Sequence, residues 1–337
     1  MELRQVKGNT WVLDSWELIP LYRLDAHRCV LLDTGTWDQR DELEAALDAA
    51  GLDPVAILCS HAHMDHMGSN AYFQKTRGTQ VIMSLGEAAQ IMSPLGIQLQ
   101  YYNFNMGAFG QYPELGTAPC LPDRILLPGE REIEIGGAQF EILPTPGHTI
   151  DHISVRTPDD VLYLADAMMT GRILHHAKFP YAISVGEYLD TLVKLREVKA
   201  AEYIVAHKGI YQEILPFIDL ELRFFRQRML DLLDRIDEVT TPKLLTQAIC
   251  AHDRARPKSP RSLAYFEQAS QNYLNYLTDQ GWLALEIQEN TLVYRKVSVP
   301  GDRPLAKLPP TGWFCDNRPV RREDIWNWNK SRTTPGC

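Results

Sequence analysis

The sequence predicts an α+β fold: stacked sheets covered by helices over the first 220 residues, with a smaller helical domain behind them. Three observations predict it. Up to about residue 220, short apolar runs rich in β-branched residues alternate with amphipathic stretches. From about residue 212 the pattern turns to long helical periodicity that ends in one strand pair. The chain has 337 residues, 45% hydrophobic and 23% charged, which allows one large domain and one smaller one.

Taken in order, "ELIPLYRL" and "RCVLLD" read as neighbouring strands. "WDQRDELEAALDAAG" reads as a helix closed by Gly51. "VAILCS" is a buried strand, "SNAYFQKTRG" a helix and "TQVIMS" a strand. An insertion over roughly 93–128 carries "YYNFNMGAFGQY". Long loops of this kind often cover sites, so Tyr101, Tyr102 and Phe104 are candidate substrate contacts, with plain packing as the alternative. "REIEIGG" and "AQFEILPTPGH" form a hairpin turning at Gly136-Gly137, and "HISVRT" pairs with "DVLYLAD". "VGEYLDTLVKLREV" is an amphipathic helix and "AEYIVAH" a strand. Three helical stretches and the strand pair "ALEIQENTLVYRKV", turning at Glu289-Asn290, follow in a winged-helix-like order. The expected domains are therefore 1–220, 221–297 and an extended Pro/Arg/Trp-containing tail, 298–337.

Residues 1–220 hold 29 acidic and 16 basic side chains, a net of −13, while 221–297 carry a net of +1 and the tail +3. Nucleic acid is not an expected partner of such a surface. No apolar run approaches the ~20 residues a membrane helix needs. No basic end with an apolar run opens the chain, and the six cysteines lack CxxC spacing, so reduced thiols in the cytoplasm are expected.

The chemistry concentrates in "CSHAHMDHMGS". His61 and His63 are two apart directly after a strand, so both imidazoles can face one metal. Asp65 and His66 follow, and a turn there can aim them at a second ion. Further strand ends deliver His148 in "PTPGHT", Asp166 in "LYLAD" and His207 in "YIVAH". Imidazole and carboxylate suit zinc, iron or manganese, and a carboxylate such as Asp166 can bridge two cations. His152 is a candidate for substrate contact or for a hydrogen-bonded turn residue, and Asp33 in "LLDTG" for support rather than direct ligation. His175-His176 read as surface residues, and His27 and His252 belong to no constellation.

"HAHMDH" followed by His148, Asp166 and His207 resembles the metallo-β-lactamase-fold hydrolases over about residues 1–220. The resemblance implies an αββα sandwich of two mixed sheets with metals at one edge. It also implies that His61, His63 and His148 hold one cation and Asp65, His66 and His207 the other, bridged by Asp166. Two divalent ions are expected, zinc first, with iron or manganese as alternatives. Such a pair supplies an activated hydroxide and polarises a carbonyl oxygen. Asp65 would act as the catalytic proton handler.

The expected activity is hydrolysis of a small-molecule ester, thioester or lactone, with a homodimer entertained as the assembly. No basic cluster of the kind glyoxalase II-like enzymes use for glutathione is recognised. Lactonase-like members carry Tyr three residues after the bridging Asp, where Met169 stands here. A β-lactamase is not expected, given the start of the chain and a bridging Asp166. The alternative is phosphodiester cleavage of RNA by the same two-metal logic. A redox diiron protein usually has Glu where His63 stands.

Overall fold

The computed structural model describes residues 1–93, 96, 119–171, 173–174, 180–253 and 255–297. Tyr101, Tyr102, Phe104, His175, His176 and the tail lie outside the described residues.

Two sheets organise the first part of the chain. In the first, β1 (Glu2–Lys7), β2 (Thr10–Asp14), β3 (Leu18–Arg23) and β4 (Arg28–Leu31) run antiparallel in sequence order. β5 (Asp53–Leu58), β6 (Gln80–Ser84) and β7 (Arg124–Leu126) continue from β4 in parallel. The second sheet contains β8 (Glu132–Ile135), β9 (Ala138–Pro144), β10 (Ile153–Arg156), β11 (Val161–Ala165), β12 (Glu202–Val205) and β13 (Gly209–Tyr211). Here β11 and β12 are parallel and the other neighbours antiparallel. The β8–β9 hairpin turns at Gly136-Gly137, with φ of 59° and 87°, as the sequence predicts.

The period of two in the strands explains the layering. Val12, Tyr22, Val30 and Leu58 point from the first sheet into one core with Phe140, Ile142, Val155 and Ile204 of the second. Their neighbours Leu13, Leu21, Leu31 and Ile57 point to the opposite face. There they pack on Leu43 and Leu47 of α1 (Arg40–Ala49), Phe73 of α3 (Asn70–Arg77), and Ala88 and Ile91 of α4 (Leu85–Ile91). A short helix, α2 (Met64–Met67), lies between β5 and α3. Both faces are therefore apolar along β3 to β6, which is why those strands read as near-continuous hydrophobic runs. The fold is a mixed α/β arrangement of two sheets with helices, matching the expected class.

By Cα proximity the chain divides into two compact units, Met1–Met168 with Val198–Ile214, and Met169–Glu197 with Leu215–Cys337. This division differs from the expected boundary at 220. The helix Val185–Leu195, read as part of the first domain, groups with the second unit. The sequence hides this because the segment leaves the first unit and returns to it, while a linear reading assigns it to its neighbours.

Within the second unit, the helix Leu215–Arg235 buries Ile218, Leu222, Phe225, Met229 and Leu232 at helical spacing. Thr241 and Ser259 cap the helices Pro242–His252 and Pro260–Asp279, each with Pro at the first position. Leu283–Gln288 and Thr291–Lys296 pair antiparallel, and the short Val239–Thr240 adds to the latter. The turn residues Glu289 and Asn290 have φ of 49° and 60°, the left-handed pair a tight hairpin turn demands. Among the described residues, no helix is long and apolar enough to cross a membrane.

Gly68 ends α2 against the backbone of the Gly35–Trp37 segment. A Cβ there would lie 2.5 Å from Trp37 N and 2.6 Å from Gly35 O, and Gly68 N–H donates to Gly35 O at 2.9 Å. Backbone cannot move aside as a side-chain tip can. Gly68→Ala is therefore expected to cost about 1–3 kcal/mol, the range for overpacking, measured as a shift of the denaturant midpoint.

Candidate metal centre

The sheets end at one edge, and the polar residues singled out in the sequence converge there. β5 leads through Ser60 to His61 and His63, and His63 caps α2, which carries Asp65 and His66. β9 ends before the turn holding His148, β11 ends immediately before Asp166, and β12 ends one residue short of His207, at Val205. Ala165 adopts φ 46°, an uncommon conformation for a residue with a Cβ, and so turns the chain sharply at Asp166.

All seven predicted ligand residues come together. One atom from each of His61, His63, His148 and Asp166 lies within 4.8 Å of the others, and the same holds for Asp65, His66 and His207. Asp166 Oδ2 joins the two groups, at 3.2 Å from His148 Nε2, 3.6 Å from His66 Nε2 and 3.3 Å from His207 Nε2. His207 Nε2 is 3.6 Å from Asp65 Oδ2.

Hydrogen bonds behind the cluster fix which ring nitrogens face inward. Asp33 is buried and accepts from Ser60 N–H, Ser60 Oγ and Tyr163 Oη, each at 2.6 Å, and from His66 Nδ1 at 2.7 Å. The carboxylate takes the proton of His66 Nδ1, so Nε2 is the nitrogen turned to the cluster. Ser60 spends its single hydroxyl proton on Asp33 and must accept from His61 Nδ1 at 2.9 Å. His61 Nε2 is then left with a lone pair. His61 Nε2 and His66 Nε2 are buried and have no hydrogen-bond partner among the described residues. Buried polar atoms normally have partners, and a cation facing each nitrogen would supply one. The donor set thus fits a divalent metal.

Electrostatics divide the histidines. Burial pushes His61 far down and His63 and His148 down to about 3, so these rings are neutral and ready to ligate. For His66 and His207 burial also opposes charge, but Asp166 outweighs it and raises both. Burial likewise opposes the charge of Asp166, yet His207, His66 and His148 hold it well below the usual carboxylate range. Asp33 lies close to His61 and His66 but has its oxygens occupied by four donors, which makes it a support and not a free ligand.

His152 is fully buried. Its Nε2 accepts from Asp166 N–H at 3.3 Å, so Nδ1 donates to Thr145 Oγ1 at 2.8 Å. Both ring nitrogens are thus engaged, and of the two readings the geometry is that of the hydrogen-bonded residue, which holds the backbone of Asp166, rather than that of a substrate contact.

Three residues of this region escaped the sequence reading. Tyr163, on β11, reaches Asp33 from the second sheet. Glu87, in the first turn of α4, accepts from Ala62 N–H at 2.8 Å and Asp151 N–H at 2.9 Å, tying the His61–His63 segment to the turn after His148. Glu17 is a buried carboxylate immediately before β3. A charged residue inside the apolar run "WELIPL" was a usable signal for Glu17, whereas nothing local marks Glu87 or Tyr163.

Comparison with known proteins agrees with this geometry. The model of the metallo-beta-lactamase superfamily matches residues 19–207, more than half of the chain. The chain belongs to that superfamily. It is 23% identical over 208 residues to a beta-lactamase-like protein 2 homolog of Drosophila melanogaster, covering 60% of this chain and 62% of that relative. It is 26% identical over 210 residues to a hydroxyacylglutathione hydrolase of Rhodospirillum rubrum, covering 60% and 68%. A metallo-beta-lactamase family protein from Thermus thermophilus superposes with a TM-score of 0.63 at 21% identity, over 83% of this chain and 94% of that one, a likeness of fold. With this family, these relatives and this His/Asp cluster, the chain is a metallo-hydrolase.

If Asp33 fixes the ring of His66, its replacement acts on the metal without touching it. Asp33→Asn keeps the shape but turns an amide N–H₂ toward donors. Metal retention against a competing chelator is expected to fall about 10–100-fold, the usual effect of losing such a supporting partner.

Proposed function

We propose that this metallo-hydrolase holds two divalent ions and cleaves a carboxylic ester, thioester or lactone of a small molecule. The observation that carries the reading is the position of Asp166 Oδ2, within 3.2–3.6 Å of histidines from both ligand groups. His61, His63 and His148 would hold one ion, Asp65, His66 and His207 the other, and Asp166 would bridge them. Zinc is the first choice for such a donor set, ahead of iron or manganese. Bound there, the ions supply an activated hydroxide and an electrophile for a carbonyl oxygen.

The chain's own residues supply the rest. Asp65 is half-buried, opposite His207, and open to the site. It is the group that takes a proton from the attacking water and returns it to the leaving group. Burial around His61 and His63 excludes bulk water, which strengthens each charge interaction in the site. Relatives named hydroxyacylglutathione hydrolases support an acyl substrate over other electrophiles. The free cysteines Cys29, Cys59, Cys120 and Cys250 support a reducing, cytoplasmic setting. The element order of the second unit supports a winged-helix-like reading of it.

Two measurements test this. A hydrolysis panel of thioesters, lactones, simple esters, a phosphodiester and a short RNA, run with metal analysis, should show turnover of an acyl substrate and two ions per chain. Cleavage confined to RNA overturns the substrate class. Asp65→Asn should lower kcat by about 10²–10⁴-fold, the scale of general acid–base catalysis, with circular dichroism little changed. Full turnover in the metal-loaded variant would refute the role of Asp65.

A further inference from the structure

Glu17 is a charged residue in a place that ordinarily excludes charge. It is 1% exposed, and neither carboxylate oxygen has a hydrogen-bond partner among the described residues. Buried carboxylates are stable when paired or hydrogen-bonded. The carboxylates of Asp33 and Glu87 in this same unit both follow that rule. Glu17 breaks it.

Its position explains what it faces. The preceding residue, Trp16, sets its ring edge-on to the ring of His207, with centroids 5.0 Å apart. The following residue, Leu18, donates its N–H to Ala206 O at 2.8 Å, so this short segment runs beside the end of β12 that delivers His207. On its other side lies Gly35. A Cβ there would stand 2.9 Å from Glu17 Oε1, at a φ of +65° that side chains rarely adopt. Glycine at 35 leaves the carboxylate its room. Gly35 O in turn accepts from Gly68 N–H, and Thr34 N–H donates to His66 O. The segment carrying His66 and the strand end carrying His207 therefore bracket Glu17. Burial raises its carboxyl to about 7, opposed by the nearby His66 and His207 and reinforced by Asp65.

We infer that Glu17 is a further carboxylate of the metal centre, whose charge strengthens binding of the cation held by Asp65, His66 and His207. The inference rests on the two-ion reading above. A dication at that position is the counter-charge this orphaned carboxylate lacks. Glu17 acts as a positioning charge for that ion, and the neighbouring His61, His63 and His148 group is served by Asp166 alone.

The test is metal binding by the full chain. Metal-free protein is titrated with Zn²⁺ against a competing chelator, comparing the native chain, Glu17→Gln and Glu17→Asp. The native chain should take up two equivalents. Glu17→Gln should bind the second about 10–100-fold more weakly while the first is unchanged, and Glu17→Asp should recover part of the loss. The melting temperature of the metal-free Glu17→Gln protein should equal or exceed that of the native chain, because a buried unpaired charge has gone. Two equivalents bound by Glu17→Gln with native affinity overturn the inference, as does equal weakening of both. Only one equivalent bound by the native chain overturns the two-ion reading, and the inference with it. If Glu17→Gln fails to fold, Glu17→Asp decides alone: selective weakening of the second equivalent upholds the inference and unchanged binding overturns it.

Discussion

The candidate metal centre depends on one buried carboxylate whose oxygens are taken up by four donors. Asp33 is 2% exposed, and a bare charge at that depth would be costly. Four donors stabilise it: two from Ser60 at the end of β5, one from His66 on α2 and one from Tyr163 on β11. The donors come from both sheets and from the ligand-bearing helix. Satisfying Asp33 therefore requires those elements to meet in one geometry. The backbone records the constraint, since Asp33 holds φ 69°, a conformation costing on the order of 1–3 kcal/mol without a compensating interaction. The hydrogen bonds hold its carboxyl below the usual range in spite of burial.

From Asp33 the orientation of the rings follows step by step. It takes the proton of His66 Nδ1, and through Ser60 it makes His61 a donor at Nδ1, leaving both Nε2 atoms for the cluster. On the far side Glu87 does for the backbone what Asp33 does for the rings. It accepts from Ala62, between His61 and His63, and from Asp151, just past His148. His152 holds the backbone of Asp166. The segments bearing His61, His63, His66, His148 and Asp166 are thus tied to buried polar groups carried by other elements. Loops are ordinarily the mobile parts of a fold; these are fixed by partners that must themselves be buried.

This division also explains what the sequence could reveal. Strands β3 to β6 of the first sheet were legible as apolar runs such as "VAILCS", covered on both faces, whereas β1, β2 and β7 were not read as strands. The hairpin turns at Gly136-Gly137 and Glu289-Asn290 were legible from turn chemistry. The seven residues that converge were legible as a set because five of them, His61, His63, His148, Asp166 and His207, follow strand ends, Asp65 and His66 come directly after the first two, and their order along the chain is specific. The supporting shell was not. Glu87 lies 25 residues from Ala62 and 64 from Asp151, and Tyr163 lies 130 from Asp33. An ordinary Glu in a helix's first turn or a Tyr in a strand carries no mark of such a partner. His152 was visible but ambiguous, because its spacing from His148 fits both a substrate contact and a buried anchor, and only its burial separates the two. The grouping of Val185–Leu195 with the second unit was equally invisible, since its amphipathic pattern states that one face is covered but not by what.

Charge outside the ligand set bears on which electrophile the site can approach. The proposed two-ion arrangement would serve attack on a carbonyl or on a phosphoryl centre, so the ligand set alone does not choose. Residues 1–220 carry a net of −13, and two dications offset only four of those charges. A polyanion nearing such a surface meets net repulsion along its length, and binding of that kind depends on neutralising several phosphates with Lys or Arg. A small acyl compound meets the field only at the site, where the proposed cations would dominate it. The acidic balance therefore weighs for the acyl substrate. It also gives Glu17 its physical sense: in a region already rich in negative charge, a further buried carboxylate beside His66 and His207 is reasonable only where a concentrated positive charge faces it.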